Sequence, residues 1–260
     1  MNVKLGPGGT SGLGYEKGIE KLKELGLNAL EVEFTYGVRM SDEKAKIIGK
    51  LAKKNNIKLS VHAPYYINLA SDEKEKVDAS ITRILDSCKK AHYLNAEFVV
   101  FHAGFYQNKT KIETYKKIKN NILLINDLIK KNNLNVKLAP ETTGKHTQFG
   151  SIEELLNLYK EINCYLCIDF AHIYARQNGV IDYDKLFKET KVLPYIHSHF
   201  SGIEFTQKGE KKHLVTDKEL IKPLIKSIIK HNLDITIINE SPEPFLDSVK
   251  TKKILDEMSK

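Results

Sequence analysis

The 260-residue sequence predicts a single (β/α)8 barrel spanning residues 1–260, and three observations carry that expectation. Eight short apolar runs alternate with eight segments of helical periodicity along the whole chain. Six of the runs stop on a histidine or a carboxylate. The longest irregular pieces, 35–40, 63–71, 142–150, 173–181 and 201–215, all follow strands. In a parallel barrel every strand ends at one rim, so residues distant in sequence converge on one mouth, where such barrels do chemistry. A doubly wound sheet is the alternative, but its Gly-rich nucleotide fingerprint is missing.

The elements follow in order. Val3–Gly6 opens as a strand, and Gly6-Pro-Gly-Gly9 behind it reads as a tight turn. Ile19, Leu22 and Leu25 mark the first helix, and Asn28–Phe34 is the second strand. Ala45, Ile48 and Leu51 lead to strand Lys58–His62. Val77, Ile81, Ile84 and Leu85 lead to strand Glu97–His102. The stripe Ile118, Ile122, Ile125, Ile129 precedes strand Val136–Glu141, and Ile152, Leu155, Leu156, Tyr159 precede strand Tyr165–Asp169. A short helix near Leu186 precedes Tyr195–His199; Leu220, Leu224 and Ile228 precede Ile235–Glu240; a last helix covers 246–258. The strands read as apolar runs because a parallel sheet is covered on both faces.

Composition narrows the function classes. Hydrophobic residues make up 41%, enough for a sizeable core. No apolar stretch approaches the roughly 20 residues a bilayer span needs, so no membrane association is expected. The N-terminus runs directly into a strand and turn, so no signal peptide is expected. Cys88, Cys164 and Cys167 are too few and too odd in number for a disulfide scaffold, which points to the cytoplasm. The formal charge of +8 permits a polyanionic partner. It is carried by lysine, with Arg only at 39, 83 and 176, and lysine-rich helices are commonly just solvated faces.

His62, His102, His172, His199 and His213, with Glu141, Asp169 and Glu240, form a mixed nitrogen and oxygen donor set. Such a set suits zinc, manganese or iron and lacks the thiolates of a structural zinc knot. One histidine at a strand end is usually structural; the joint placement carries the inference. Eight candidate ligands exceed what one tetrahedral ion needs, which favours a multinuclear site with a carboxylate such as Glu141 bridging. Multinuclear sites activate water and stabilise the attacking and leaving oxygens of a phosphoryl displacement. His197, two residues before His199, faces the same side of its strand and is expected behind the ligands or packed in the barrel.

Seven motifs, in this order and spacing, resemble the endonuclease IV family of metal-dependent apurinic/apyrimidinic endonucleases, which are xylose-isomerase-like TIM barrels. They are Phe34-Thr-Tyr-Gly-Val-Arg39, His62-Ala-Pro-Tyr-Tyr-Ile-Asn-Leu69, Phe101-His-Ala-Gly104, Pro140-Glu-Thr-Thr-Gly144, Cys167-Ile-Asp-Phe-Ala-His172, His199-Phe-Ser-Gly202 and Asn239-Glu-Ser-Pro242. The resemblance covers essentially the whole chain. It implies two or three zinc ions, with His62 and His102 on the first and Glu141, the catalytic carboxylate, bridging to a second. Asp169, His199 and Glu240 would complete the shell of that second ion, and His172 and His213 would hold the third. The family places an aspartate two residues before the last histidine, where this chain has Lys211. An ammonium cannot ligate a cation, so the third site is expected to be weak or empty, or to borrow Glu210 or Glu204.

The resemblance also implies duplex DNA containing abasic sites as the partner of a monomer. Arg39 and Tyr65 stand at the family's DNA-contacting loop positions, and Tyr66 stands where an aliphatic wedge is expected; such side chains unstack a base step. Lys109, Lys111, Lys145, Lys208, Lys211 and Lys212 on rim loops are candidate phosphate contacts. The implied reaction is hydrolysis of the phosphodiester 5′ to the lesion. Two alternatives stay open: a sugar isomerase or epimerase using one metal with Glu141 and Glu240, and a damaged-DNA-binding protein that does not cut.

Overall fold

A computed structural model describes residues 1–260 and contains all eight barrel strands at their expected positions. They are β1 (Asn2–Pro7), β2 (Ala29–Glu33), β3 (Lys58–His62), β4 (Phe98–Phe101), β5 (Lys137–Pro140), β6 (Cys167–Asp169), β7 (Ile196–Phe200) and, after a hairpin of β8 (Gly202–Thr206) and β9 (Gly209–Leu214), β10 (Asp234–Asn239). Two parallel four-stranded sheets, β1-β10-β7-β6 and β2-β3-β4-β5, supply the wall. Parallel bridges at both seams close it. Gly8 pairs with Glu31, and Glu141 pairs with Cys167. The Gly9 amide donates to the Glu31 carbonyl (2.9 Å) and the Thr142 amide to that of Cys167 (3.0 Å). At the first seam the backbones come so close that a Cβ on Gly6 would lie 1.7 Å from the Ala29 carbonyl oxygen, so no other residue fits there.

Strand alternation sorts the side chains. Leu59, Val61, Val99, Phe101, Leu138, Leu166, Ile168, Ile196, Ile235 and Ile237 point outward into a core of 54 buried residues shared with the helices. Their neighbours point into the barrel: Lys58, Ser60 and His62 on β3; Phe98 and Val100 on β4 with His102 after it; and Lys137 and Ala139 on β5 with Glu141 next. Every inward series thus climbs from a lower end lined by Phe98, Tyr165 and Tyr195 to an upper end of histidines and carboxylates. Cys164 lies outside and Cys167 inside, as their spacing requires.

The outer ring is α1 (Tyr15–Glu24), α2 (Asp42–Lys54), α3 (Lys74–Leu94), α4 (Lys111–Lys131), α5 (Ile152–Ile162), α6 (Phe170–Arg176), α7 (Tyr183–Glu189), α8 (Lys218–His231) and α9 (Pro244–Met258). Thr110–Glu113 and Ser151–Glu154 form capping boxes on α4 and α5. No helix is long and apolar enough to cross a membrane.

Two expectations need correction. The piece 201–215 is not irregular: it holds the antiparallel β8–β9 hairpin. The piece 173–181 begins inside α6, whose first turn carries His172. Asp169 caps that helix, its Oδ1 accepting the His172 amide at 2.7 Å.

Candidate metal centre

Six of the eight anticipated ligands, His62, His102, Glu141, His172, His213 and Glu240, line one cavity of about 540 Å³ at the upper rim, and Asp169 and His199 are buried beside Glu141 and Glu240. Donor atoms of His62, His102 and Glu141 lie within 4.8 Å of one another, and so do those of Glu141, Asp169, His199 and Glu240. Glu141 belongs to both groups and divides its oxygens between them. Oε2 is 3.2 Å from His62 Nε2 and 2.9 Å from His102 Nε2, while Oε1 is 3.0 Å from His199 Nδ1. This is the disposition a bridging carboxylate needs.

The ring orientations suit ligation. His62 Nδ1–H donates to its neighbour's carbonyl at Ala63 (2.7 Å), and His172 Nδ1–H donates to that of Thr142 (2.9 Å). Each leaves Nε2 aimed into the cavity. His213 Nδ1 meets Ser201 Oγ at 2.6 Å, and its Nε2 faces Glu240 at 4.0 Å.

Charge balance points the same way. Burial opposes a charge on His62, but Glu141, Glu33 and Glu31 outweigh it and raise its pKa to about 10. Burial likewise opposes ionisation of Glu141, yet His199 and His102 hold its carboxyl well below the usual range. Burial raises Asp169 to about 6, with Glu141 and Glu240 adding repulsion. Protonated imidazoles therefore stand where cations would otherwise balance the carboxylates. Asp169 Oδ2, wholly buried, has no hydrogen-bond partner and faces Glu141, His199 and Glu240. A buried carboxylate oxygen left unpaired is costly, and a cation between these groups would satisfy it. The donor set fits a hard or borderline divalent ion.

The hairpin shows where Lys211 stands. Phe205 pairs with Glu210 and Glu204 with Lys212, so Lys211 is the unpaired extra residue of a β-bulge. The bulge returns Glu210 to the same face as His213. Glu210 Oε2 lies 3.2 Å from His172 Nε2 and accepts the Gly144 amide at 2.9 Å, so close that a Cβ on Gly144 would collide with it. The Lys211 and Lys212 ammonium groups instead pair with Glu204, at 3.0 and 3.4 Å. Of the two carboxylates considered there, Glu210 faces His172 and Glu204 is tied to lysines.

The remaining anticipated residues divide. Tyr65 lines the cavity, its ring 6.0 Å from that of His62. Tyr66 and Arg39 are exposed on the adjoining loops. Lys145, Lys211 and Lys212 line the mouth, whereas Lys109 is tied to Asp72 at 2.9 Å and Lys111 lies 5.9 Å from the Tyr106 ring centroid. His197 is buried behind His199, against Glu31. Sequence reasoning missed Glu31, Glu33 and Phe105. Glu33 lines the cavity, where burial pushes its carboxyl up to about 8, and Phe105 sits across the mouth. The only signal for Glu31 and Glu33 was two acidic residues inside an otherwise apolar strand, Ala29-Leu-Glu-Val-Glu-Phe34.

Comparison with known proteins places the chain. It is 40% identical over 254 residues to an uncharacterized protein of Methanocaldococcus jannaschii, covering 93% of this chain and 92% of that one. It is 27% identical over 236 residues to a protein named probable endonuclease 4 in Metamycoplasma arthritidis, covering 82% and 83%. Among solved structures, a D-tagatose 3-epimerase-like protein superposes with TM-score 0.76 at 21% identity, covering 99% of this chain and 96% of the other. Endonuclease IV from Thermus thermophilus does so with TM-score 0.71 at 19% identity, covering 99% and 100%. Both structural likenesses speak for the barrel alone. Residues 19–258 match the sequence model of a single family, and by that match the chain belongs to the xylose isomerase-like TIM barrels.

Proposed function

We propose that this protein is a metal-dependent phosphodiesterase that cuts duplex DNA on the 5′ side of abasic sites, leaving a 3′-hydroxyl. The observation that carries the reading is the division of Glu141 between two histidine-containing groups. One ion could be held by the Glu141, Asp169, His199, Glu240 quartet alone; His62 and His102 on the other oxygen of Glu141 are donors beyond it. The likeness to a protein named probable endonuclease 4 supports the same reading.

Zinc ions are the proposed cofactors, with manganese or iron as substitutes. Bound there, they would lower the pKa of a coordinated water and neutralise charge on the phosphate. His62, His102 and Glu141 would hold one ion, and Glu141, Asp169, His199 and Glu240 a second. His172 and His213, with Glu210 as carboxylate, would hold a third. Lys145 and Lys212 at the mouth would meet backbone phosphates, and Tyr65, Tyr66 and Arg39 would enter the opened base step.

The test is a labelled duplex with one abasic site, incubated with protein loaded in turn with zinc, manganese and iron. Incision giving a 3′ end that a polymerase extends is expected. Intact DNA under every metal overturns the reading. If such DNA is bound but never cut, the protein is a damage-binding module instead. A second reading, ketose epimerisation, is favoured by the quartet itself, whose Glu141 and Glu240 offer two carboxylates at one site. Exchange of solvent deuterium into a ketose would select it.

A further inference from the structure

The ring of His199 is turned over relative to those of His62 and His172. In those two, Nδ1 is spent on a backbone carbonyl and Nε2 faces the cavity. In His199, Nδ1 faces the cavity, 3.0 Å from Glu141 Oε1 and 3.3 Å from Glu240 Oε1. Its Nε2 points the other way and lies 2.8 Å from Glu31 Oε1, out of line with the N–H, and neither atom finds a hydrogen-bond partner elsewhere.

Glu31 comes from β2, reaches across the barrel interior toward β7, and is wholly buried. Its second oxygen is fixed from two sides. Ser60 Oγ donates to Oε2 at 2.6 Å, and His197 Nε2 lies 3.1 Å from the same atom. No lysine or arginine pairs with it. A buried carboxylate survives only where donors meet it; Ser60 and His197 meet Oε2, and the His199 imidazole lies beside Oε1. Such an acceptor fixes which ring nitrogen carries the proton, and a carboxylate does so more strongly than a carbonyl, making the opposite nitrogen a better ligand.

We propose that Glu31 is a positioning residue: it holds His199 with Nε2 protonated and Nδ1 turned to Glu141, Asp169 and Glu240, so that His199 meets its cation through Nδ1. Ser60 and His197 keep Glu31 in that place. The inference rests on the metal reading above but not on the substrate.

The test reads the metal directly. In zinc-loaded wild-type protein with labelled histidine, long-range proton–nitrogen correlation should give His62 and His172 coordinated through Nε2 and His199 through Nδ1. Glu31→Gln should weaken the binding of one ion per chain by about 10- to 100-fold, the usual cost of losing an outer-shell partner. The ion at His62 and His102 should keep its affinity, and Glu31→Asp should recover part of the loss. In cobalt-loaded protein the visible spectrum should change in Glu31→Gln, a shift that loss of fold stability alone would not give. Should Glu31→Gln fail to fold, Ser60→Ala should weaken the same ion by a smaller factor. Coordination of His199 through Nε2, or unchanged affinity and cobalt spectrum in Glu31→Gln, overturns the proposal while leaving the metal centre standing. Wild-type protein that holds no cation overturns both.

Discussion

The two ends of the barrel are built on the same strands and obey opposite rules. At the lower end, Lys58 and Lys137 each pair with Glu97 at 2.8 Å. Their ammonium groups also lie 3.8 Å from the centroid of the Tyr195 ring and 4.5 Å from that of Tyr165. Phe98 packs between these rings and is buried. Four residues further along the same strands stand His62, Glu141, Asp169 and His199. There, carboxylates and imidazoles crowd together, and Asp169 Oδ2 and Glu33 Oε1 remain without partners. The lower end is satisfied and closes the barrel. The upper end is incomplete as protein alone, as expected where the chemistry of such barrels resides.

The largest test of that contrast is Glu141→Gln. It removes the one charge shared by both ligand groups, so metal content should collapse and cleavage should fall by roughly 10²–10³-fold or more. Far-ultraviolet circular dichroism should be unchanged, because the wall and its 54-residue outer core do not depend on Glu141. A folded variant that keeps both its metal and its rate would break the contrast.

Phe98→Ala probes the other end. It empties a buried aromatic site and should cost about 3–5 kcal/mol in denaturant unfolding. Phe98 stacks on the His197 ring, 5.2 Å away, and packs in one cluster with Val100, Ala139 and Cys167, none of them in the His62, His102, Glu141 group. The ion at His62, His102 and Glu141 should therefore remain bound, as metal analysis would reveal.

How much of this was legible follows from alternation. The strands were readable because their outward residues are apolar and their last inward residue is polar, as in Leu59, Val61 and then His62. Glu31 was not, since an acidic residue inside a strand looks the same whether it faces water or a barrel interior. The α6 helix is seven residues long, too short for a periodic signal, and its cap Asp169 doubles as a candidate ligand. The hairpin was hidden by its own bulge: Glu210-Lys-Lys-His213 breaks strand alternation and reads as a charged loop.

Acidity sharpens the contrast further. In metal-free protein His62 is held at about 10, against 6.5 for the free side chain, so it carries a proton at pH 7. A cation needs the Nε2 lone pair and must expel that proton. Because the pKa is raised, the protonated competitor persists up to about 10, and affinity should rise with pH throughout the range below it. The slope should be about tenfold per pH unit for each proton displaced. Manganese titrations at about pH 6, 7 and 8 check this, and a flat affinity would mean that the imidazoles are already neutral.

The smallest expected effect belongs to the residue that looked most disruptive in the sequence. Lys211 replaces an aspartate that the endonuclease IV resemblance anticipates, and an ammonium among ligands would repel a cation. As the extra residue of a bulge, however, it pairs with Glu204 and cedes the inward position to Glu210. Lys211→Asp should therefore change zinc affinity by less than about fivefold, the scale of an exposed ion pair. Glu210→Gln should cost one ion per chain at least the roughly 10- to 100-fold that loss of an outer-shell partner costs. Elemental analysis of the two variants after dialysis against a weak chelator separates them. If Lys211→Asp gains an ion while Glu210→Gln loses none, the bulge does not substitute for the aspartate, and the third site is built some other way.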